Sequence, residues 1–201
     1  MRREGMTTLL LGLAGFGLYL IYDINSITID CRPLRLGFLL GSLFIGGATL
    51  WQLAAAFRSG YISGLGDLVF LALGLASFGA LIYCLFFALP FQETYTAPEN
   101  GRPVYTCGAY ALCRHPGVLC FFAMYLFWGL AALPSDVLWI GMLFSILNGM
   151  YAWFQDRVTF PKTFRNYEDY RAKAPFLIPN LASIRRARET WGDSYKKEEE
   201  L

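Results

Sequence analysis

Five long stretches of apolar residues, set apart by short polar breaks, dominate the chain: Met6 to Tyr22, Leu36 to Phe57, Leu68 to Phe91, Pro116 to Leu133 and Val137 to Gln155. At 1.5 Å of rise per residue, about 20 apolar residues cross the roughly 30 Å of hydrocarbon in a bilayer. Each stretch therefore predicts a membrane-spanning helix, the fourth only narrowly. The first follows Arg2 and Arg3 in the manner of a signal peptide, yet no small-residue cleavage site comes after it. Pro134-Ser135-Asp136 breaks the fourth stretch from the fifth, because a proline cannot continue a helix, and makes the two an antiparallel hairpin.

The expected fold is all-α: a polytopic membrane helical bundle of about five transmembrane helices, ending in an amphipathic cytosolic segment. A single membrane domain accounts for the 201 residues, with three helices in 1–92, a loop, hairpin and post-hairpin segment in 93–180, and a charged tail in 181–201. Composition agrees. Only 16% of residues are charged and 56% are hydrophobic, against about 25% charged in soluble domains.

Charge placement orients the bundle. Fourteen of the seventeen Lys and Arg residues fall in the first loop, the third loop and the segment after Asp156, which five spans put on one side. The excess of positive charge marks the cytosolic side, so the N-terminus is expected outside and the C-terminus in the cytosol, in a bacterial inner membrane or the endoplasmic reticulum. Arg185, Arg186 and Arg188 suit anionic headgroups. The basic run is too short for nucleic acid. Gly37, Gly41, Gly46 and Gly47 in the second span form a small-residue pattern that permits close helix packing. The five cysteines show no zinc-type spacing, and the single histidine, His115, excludes a histidine metal cluster.

One segment carries chemistry. Past Gln92-Glu93-Thr94-Tyr95 and Ala97 to Pro103, the chain reads Gly108-Ala109-Tyr110-Ala111-Leu112-Cys113-Arg114-His115-Pro116. Pro116 suits the first position of a helix and pushes His115 toward an extended conformation. The result is a helix N-terminus at the membrane boundary with Arg114 and His115 beside it, a mouth that fits a carboxylate or phosphate. The plainer reading is a snorkelling arginine and a capping histidine.

Gly108-x-Tyr110 followed by Arg114-His115-Pro116 resembles the signature of the isoprenylcysteine carboxyl methyltransferase and phospholipid methyltransferase superfamily. In that family a helical hairpin follows, then a carboxylate pair and a Phe-Gly-x-x-Tyr-x-x-Tyr segment. Here the hairpin is followed by Asp156-Arg157, Phe160, Phe164, Tyr167, Tyr170 and Pro175. The resemblance covers about Gly108 to Pro179. Val118 and Cys120 replace a tyrosine and a glycine of the pattern, Arg157 replaces an acid, and the Phe164 to Tyr167 spacing is one residue short.

The resemblance implies a methyltransferase that takes S-adenosylmethionine from the cytosol and a lipid-like acceptor from the bilayer. The cofactor would lie among Gly108, Tyr110, Arg114, His115, Pro116, Tyr167 and Tyr170, with Asp156 and Arg157 facing the reaction centre. No metal is required, since the cofactor carries an activated methyl group. Two other readings stay open: a non-catalytic scaffold or lipid-binding descendant, and an NADPH-dependent membrane reductase of the sterol reductase kind. The spacing of Phe160, Phe164, Tyr167, Arg171 and Ala174 predicts one amphipathic surface helix after a break at Pro161.

Overall fold

Helix-favouring apolar runs become helices throughout the computed structural model, which describes residues 3–88 and 103–191. The third-loop stretch from Gln92 to Arg102 and the Lys196 to Glu200 run lie outside the described residues. Among the described residues there is no strand. The long helices are α1 (Arg3–Ser26), α2 (Gly37–Arg58) and α3 (Leu65–Ile82), the last extended by a π-helical turn over Tyr83–Phe87. A short α4 (Ala109–Leu112) precedes α5 (Pro116–Ala131) and α6 (Val137–Phe154), and a second π turn occupies Gln155–Thr159. Three short helices follow: α7 (Phe160–Thr163), α8 (Tyr167–Lys173) and α9 (Leu181–Thr190).

Four of these stretches are long and apolar enough to cross a membrane: Gly5–Ser26, Arg32–Arg58, Leu65–Phe87 and Val137–Thr163. The protein is thus an all-α membrane helical bundle. The fourth expected span is shorter than its sequence suggests, since α5 covers 16 residues, or about 24 Å of rise. Its apolar run ends early because Ala132, Leu133 and Pro134 turn into α6.

The chain divides into two compact units, one of residues 1–78 and 121–155, the other of residues 79–120 and 156–201. In the first, α1 and α2 pack through glycine. A Cβ on Gly41 would stand 2.7 Å from the Gly15 carbonyl oxygen, and one on Gly37 would stand 2.9 Å from that of Leu18, whereas Gly46 and Gly47 face open space. Half of the small-residue pattern thus serves close approach. In lipid, where burial of apolar surface between helices gains little, such contact is what holds helices together.

Polar links reinforce the bundle. Tyr19 and Ser42 share a hydrogen bond of 2.9 Å, Gln52 donates to Thr8 Oγ1 at 2.9 Å, and the Thr49 and Tyr125 hydroxyls are paired. Around them pack Phe16, Ile45, Tyr125, Trp128, Ile140 and Phe144. Leu39, Leu43, Leu50, Trp139, Met150 and Trp153 point outward, as expected where the solvent is hydrocarbon. The loop between α1 and α2 is tied by Asn25, which bonds both the N–H and the carbonyl of Cys31, and by a two-pronged pair between Arg35 and Asp30 at 2.9 and 2.5 Å.

The post-hairpin segment departs from the single helix that its spacing predicts. Pro161 does not break the line: the chain stays helical from α6 through the π turn to Thr163, and the proline forgoes only the backbone bond that its missing N–H would have made. The break comes at Phe164, which is extended (φ −112°, ψ 128°). The aromatic residues therefore meet as a cluster from two helices rather than as a stripe along one. Phe160 packs on Phe164 and Tyr167 with ring centroids 5.4 and 5.5 Å apart, and Tyr167 on Tyr170 at 6.0 Å.

Candidate functional site

The second unit brings the start of α5 against the stretch that follows α6. Gly108 has φ +57° and ψ −125°, a conformation closed to residues with a Cβ. There its N–H meets Thr190 Oγ1 at 3.0 Å. The chain then makes the single turn of α4 and extends through Cys113 before Pro116 opens α5. Extension leaves the Arg114 N–H free of any helix, and it donates to the Pro175 carbonyl at 2.9 Å.

Pro175 decides where the Arg114 side chain goes. Lacking an N–H, it cannot satisfy the Arg171 carbonyl one turn back, and it forces Ala174 into an extended conformation (φ −103°, ψ 131°) that ends α8. Two helix-end carbonyls are thereby orphaned. Arg114 NH1 donates to both, at 2.9 Å to Arg171 and 2.5 Å to Ala174. The rest of the guanidinium forms a two-pronged pair with Asp156, Nε to Oδ1 at 2.7 Å and NH2 to Oδ2 at 3.2 Å. The Phe176 ring lies 5.7 Å from its centre. Each guanidinium nitrogen is engaged.

Asp156 stands in the π turn, buried four residues on from buried Ala152, while Arg157, the next residue, is exposed. The Tyr167 hydroxyl donates to Asp156 Oδ1 at 2.6 Å. Arg171 Nε approaches Oδ2 at 3.9 Å. His115 Nε2 lies 3.5 Å from Oδ1 without a formed hydrogen bond, and it has no other hydrogen-bond partner among the described residues. The imidazole is stacked on Phe160 (5.7 Å) and edge-on to Phe176 (5.1 Å). Below this cluster, Tyr170 donates to the Tyr110 carbonyl at 2.8 Å, and Tyr110 in turn to the Cys84 carbonyl at 2.9 Å.

Burial, and then the hydrogen bond to the Asp156 carboxylate, push the Tyr167 hydroxyl above the usual tyrosine range. Burial pushes Tyr170 up as well. The same cause raises the Cys113 thiol to about 11, so it stays protonated at neutral pH. All five cysteines are free thiols. Among the described residues no group of ligands could hold a metal ion.

Of the residues singled out from sequence, Tyr110, Arg114, His115, Pro116, Asp156, Tyr167 and Tyr170 belong to one packed region, and Gly108 shapes its entry. Arg157 does not join it; Arg171 supplies the second cation near Asp156 instead. Arg171, Phe160 and Phe176 carry parts that motif spacing did not assign. One signal pointed to the Arg171 carbonyl: Pro175 four residues on leaves it unpaired. The expected mouth between Arg114 and the aromatic residues is filled by their own contacts. A cavity of about 190 Å³ opens on the other side of Tyr170, lined by Asn166, Asp169, Lys173, Arg186 and Glu189 among others. Compared with family models, with curated proteins and with solved structures, the chain matches none.

Proposed function

We propose that this protein is an integral membrane methyltransferase that uses S-adenosylmethionine on a lipophilic acceptor. The observation that carries the reading is the meeting of Arg114 and His115 with Tyr167 on one carboxylate, Asp156. These are the residues on which the resemblance to the membrane methyltransferase superfamily rests. Beside them, the cavity against Tyr170 offers a chemistry suited to the cofactor's amino-acid end. Lys173 stands for its carboxylate, Asp169 for its ammonium, and an aromatic face for its sulfonium. The cavity is smaller than the roughly 300 Å³ at the low end of ligand pockets, so it takes a part of the cofactor and not the whole.

When bound, S-adenosylmethionine supplies a methyl group already activated for transfer. The chain's own residues have to hold and orient it, and to keep water away. In this reading Arg114 is a positioning residue: it fixes the C-terminal end of α8, the helix that carries Tyr170 and Lys173, against the start of α5. Asp156 holds that arginine. The membrane setting brings the lipid-like acceptor.

A second reading, a non-catalytic lipid-binding descendant, is favoured by one observation. Both Asp156 oxygens are engaged by Arg114 and Tyr167, and Arg157 is exposed outside that cluster, so Asp156 is not free to act as a base and Arg157 does not stand beside it to meet an acceptor carboxylate. Titration of the protein in lipid nanodiscs with S-adenosylhomocysteine separates the two readings, together with labelled methyl transfer to a lipid extract. Binding and transfer support the methyltransferase; neither binding nor transfer ends that reading. His115→Phe keeps the ring contacts with Phe160 and Phe176 and removes only the nitrogens. It is expected to weaken binding of the cofactor product far more than Cys113→Ala, and equal effects would count against His115.

A further inference from the structure

We infer that the outer face of α9, with its flanking residues, is a docking surface for anionic lipid headgroups at the membrane boundary. The two most exposed large apolar side chains among the described residues sit together here, Leu181 at 87% and Ile178 at 82%. Both lie outside the membrane-crossing stretches, where hydrocarbon does not account for their exposure.

The helix is two-faced. Ser183 and Ala187, four apart, are buried against the rest of the second unit. Leu181, Ile184, Arg185 and Arg188 follow the i, i+3, i+4, i+7 rule and share the opposite, outward face. Trp191, 60% exposed, extends that face past the helix end. Apolar side chains to enter the headgroup layer, arginines to meet phosphates and a tryptophan at the boundary form the set that a membrane surface selects.

The arginines divide by role. Arg186 is spent internally, its guanidinium bonded to the Lys173 carbonyl. Arg185 reaches Glu189 at 2.9 Å but is 83% exposed, a pair that a phosphate would easily replace. Arg188 is exposed and without a partner among the described residues. Two outward arginines beside two bare apolar residues therefore select a surface that is both anionic and lipidic. The face is also anchored: Thr190 holds the Gly108 N–H, eight residues before α5, so lipid bound here bears on the same turn that carries the candidate site. The inference does not depend on the methyltransferase reading.

The test is hydrogen–deuterium exchange of the full-length protein in nanodiscs of phosphatidylcholine alone or phosphatidylcholine mixed with phosphatidylglycerol. Residues 178–191 are expected to exchange roughly tenfold more slowly in the anionic discs, from about a fivefold gain for each of two arginines less the part spent on Glu189. High salt should abolish the difference. The R185E/R188E variant should show none, with exchange in α2 unchanged as the check on folding. Leu181→Ser should weaken protection in both lipids. Equal exchange of this segment in the two lipids, or a charge-reversed variant that behaves as the parent does, would overturn the inference.

Discussion

Arg114 shows how much one side chain does when its five donors are divided among partners. It closes two helix-end carbonyls and pairs with a carboxylate that is 3% exposed. Arg114→Ala would leave the Asp156 charge buried beside one distant arginine, and loss of about 3–5 kcal/mol is expected, read as a lower unfolding temperature in detergent. Arg114→Lys should recover little, because an ammonium cannot reproduce the fork. Arg157→Ala should be neutral. Tyr167→Phe removes a single charge-assisted bond, for a loss of about 1.5–3 kcal/mol. The tyrosine also predicts a pH dependence. Its folded pKa lies above the value of about 10 for a free tyrosine, so its contribution is complete below that pH and declines as pH rises toward the folded pKa. Unfolding temperature should be steady from neutral pH to about 9 in respect of this group and fall above 10, more steeply in the parent than in Tyr167→Phe.

At the scale of elements, glycine placement separates contact from mere composition. Gly41→Leu should force α1 and α2 apart, because the Gly15 backbone cannot move aside as a side chain can, and it should lower the yield of folded protein. Gly46→Leu, with nothing near its Cβ, should not. Gly108→Ala is expected to cost about 1–3 kcal/mol through its positive φ alone, since there is room for the methyl group. Circular dichroism melts of the three variants check the order. Helix type and the starts of α5 and α6 were legible from apolar run length together with Pro116 and Pro134, whereas the early end of α5 and the helical run past Gln155 were not. The run of aromatic residues after α6 misled for a definite reason. A period of three to four shows that residues would share a face if the helix continued, and the extended backbone at Phe164 ends it.

For the whole molecule, the pattern of apolar runs was enough to determine a polytopic helical membrane protein, because a bilayer offers the backbone no partners and leaves a spanning segment hardly any choice but to be a helix. The order of the motif residues also singled out two stretches whose side chains the structure packs together. Only the tertiary structure decided what these side chains do with one another. Arg114 has the reach and charge to greet an anion from outside. Whether it does depends on which internal acceptors arrive first, here the Asp156 carboxylate and the carbonyls that Pro175 orphans. Likewise Asp156 continues the buried face of α6, four residues on from Ala152, and Arg157 falls outside it, yet only the fold showed that Asp156 meets Arg114 there. Hydropathy is a sum over neighbours in sequence and survives being read in one dimension. Hydrogen-bond partners are set by distances between residues about 60 positions apart, as from Arg114 to Ala174, and those exist only once the chain has folded.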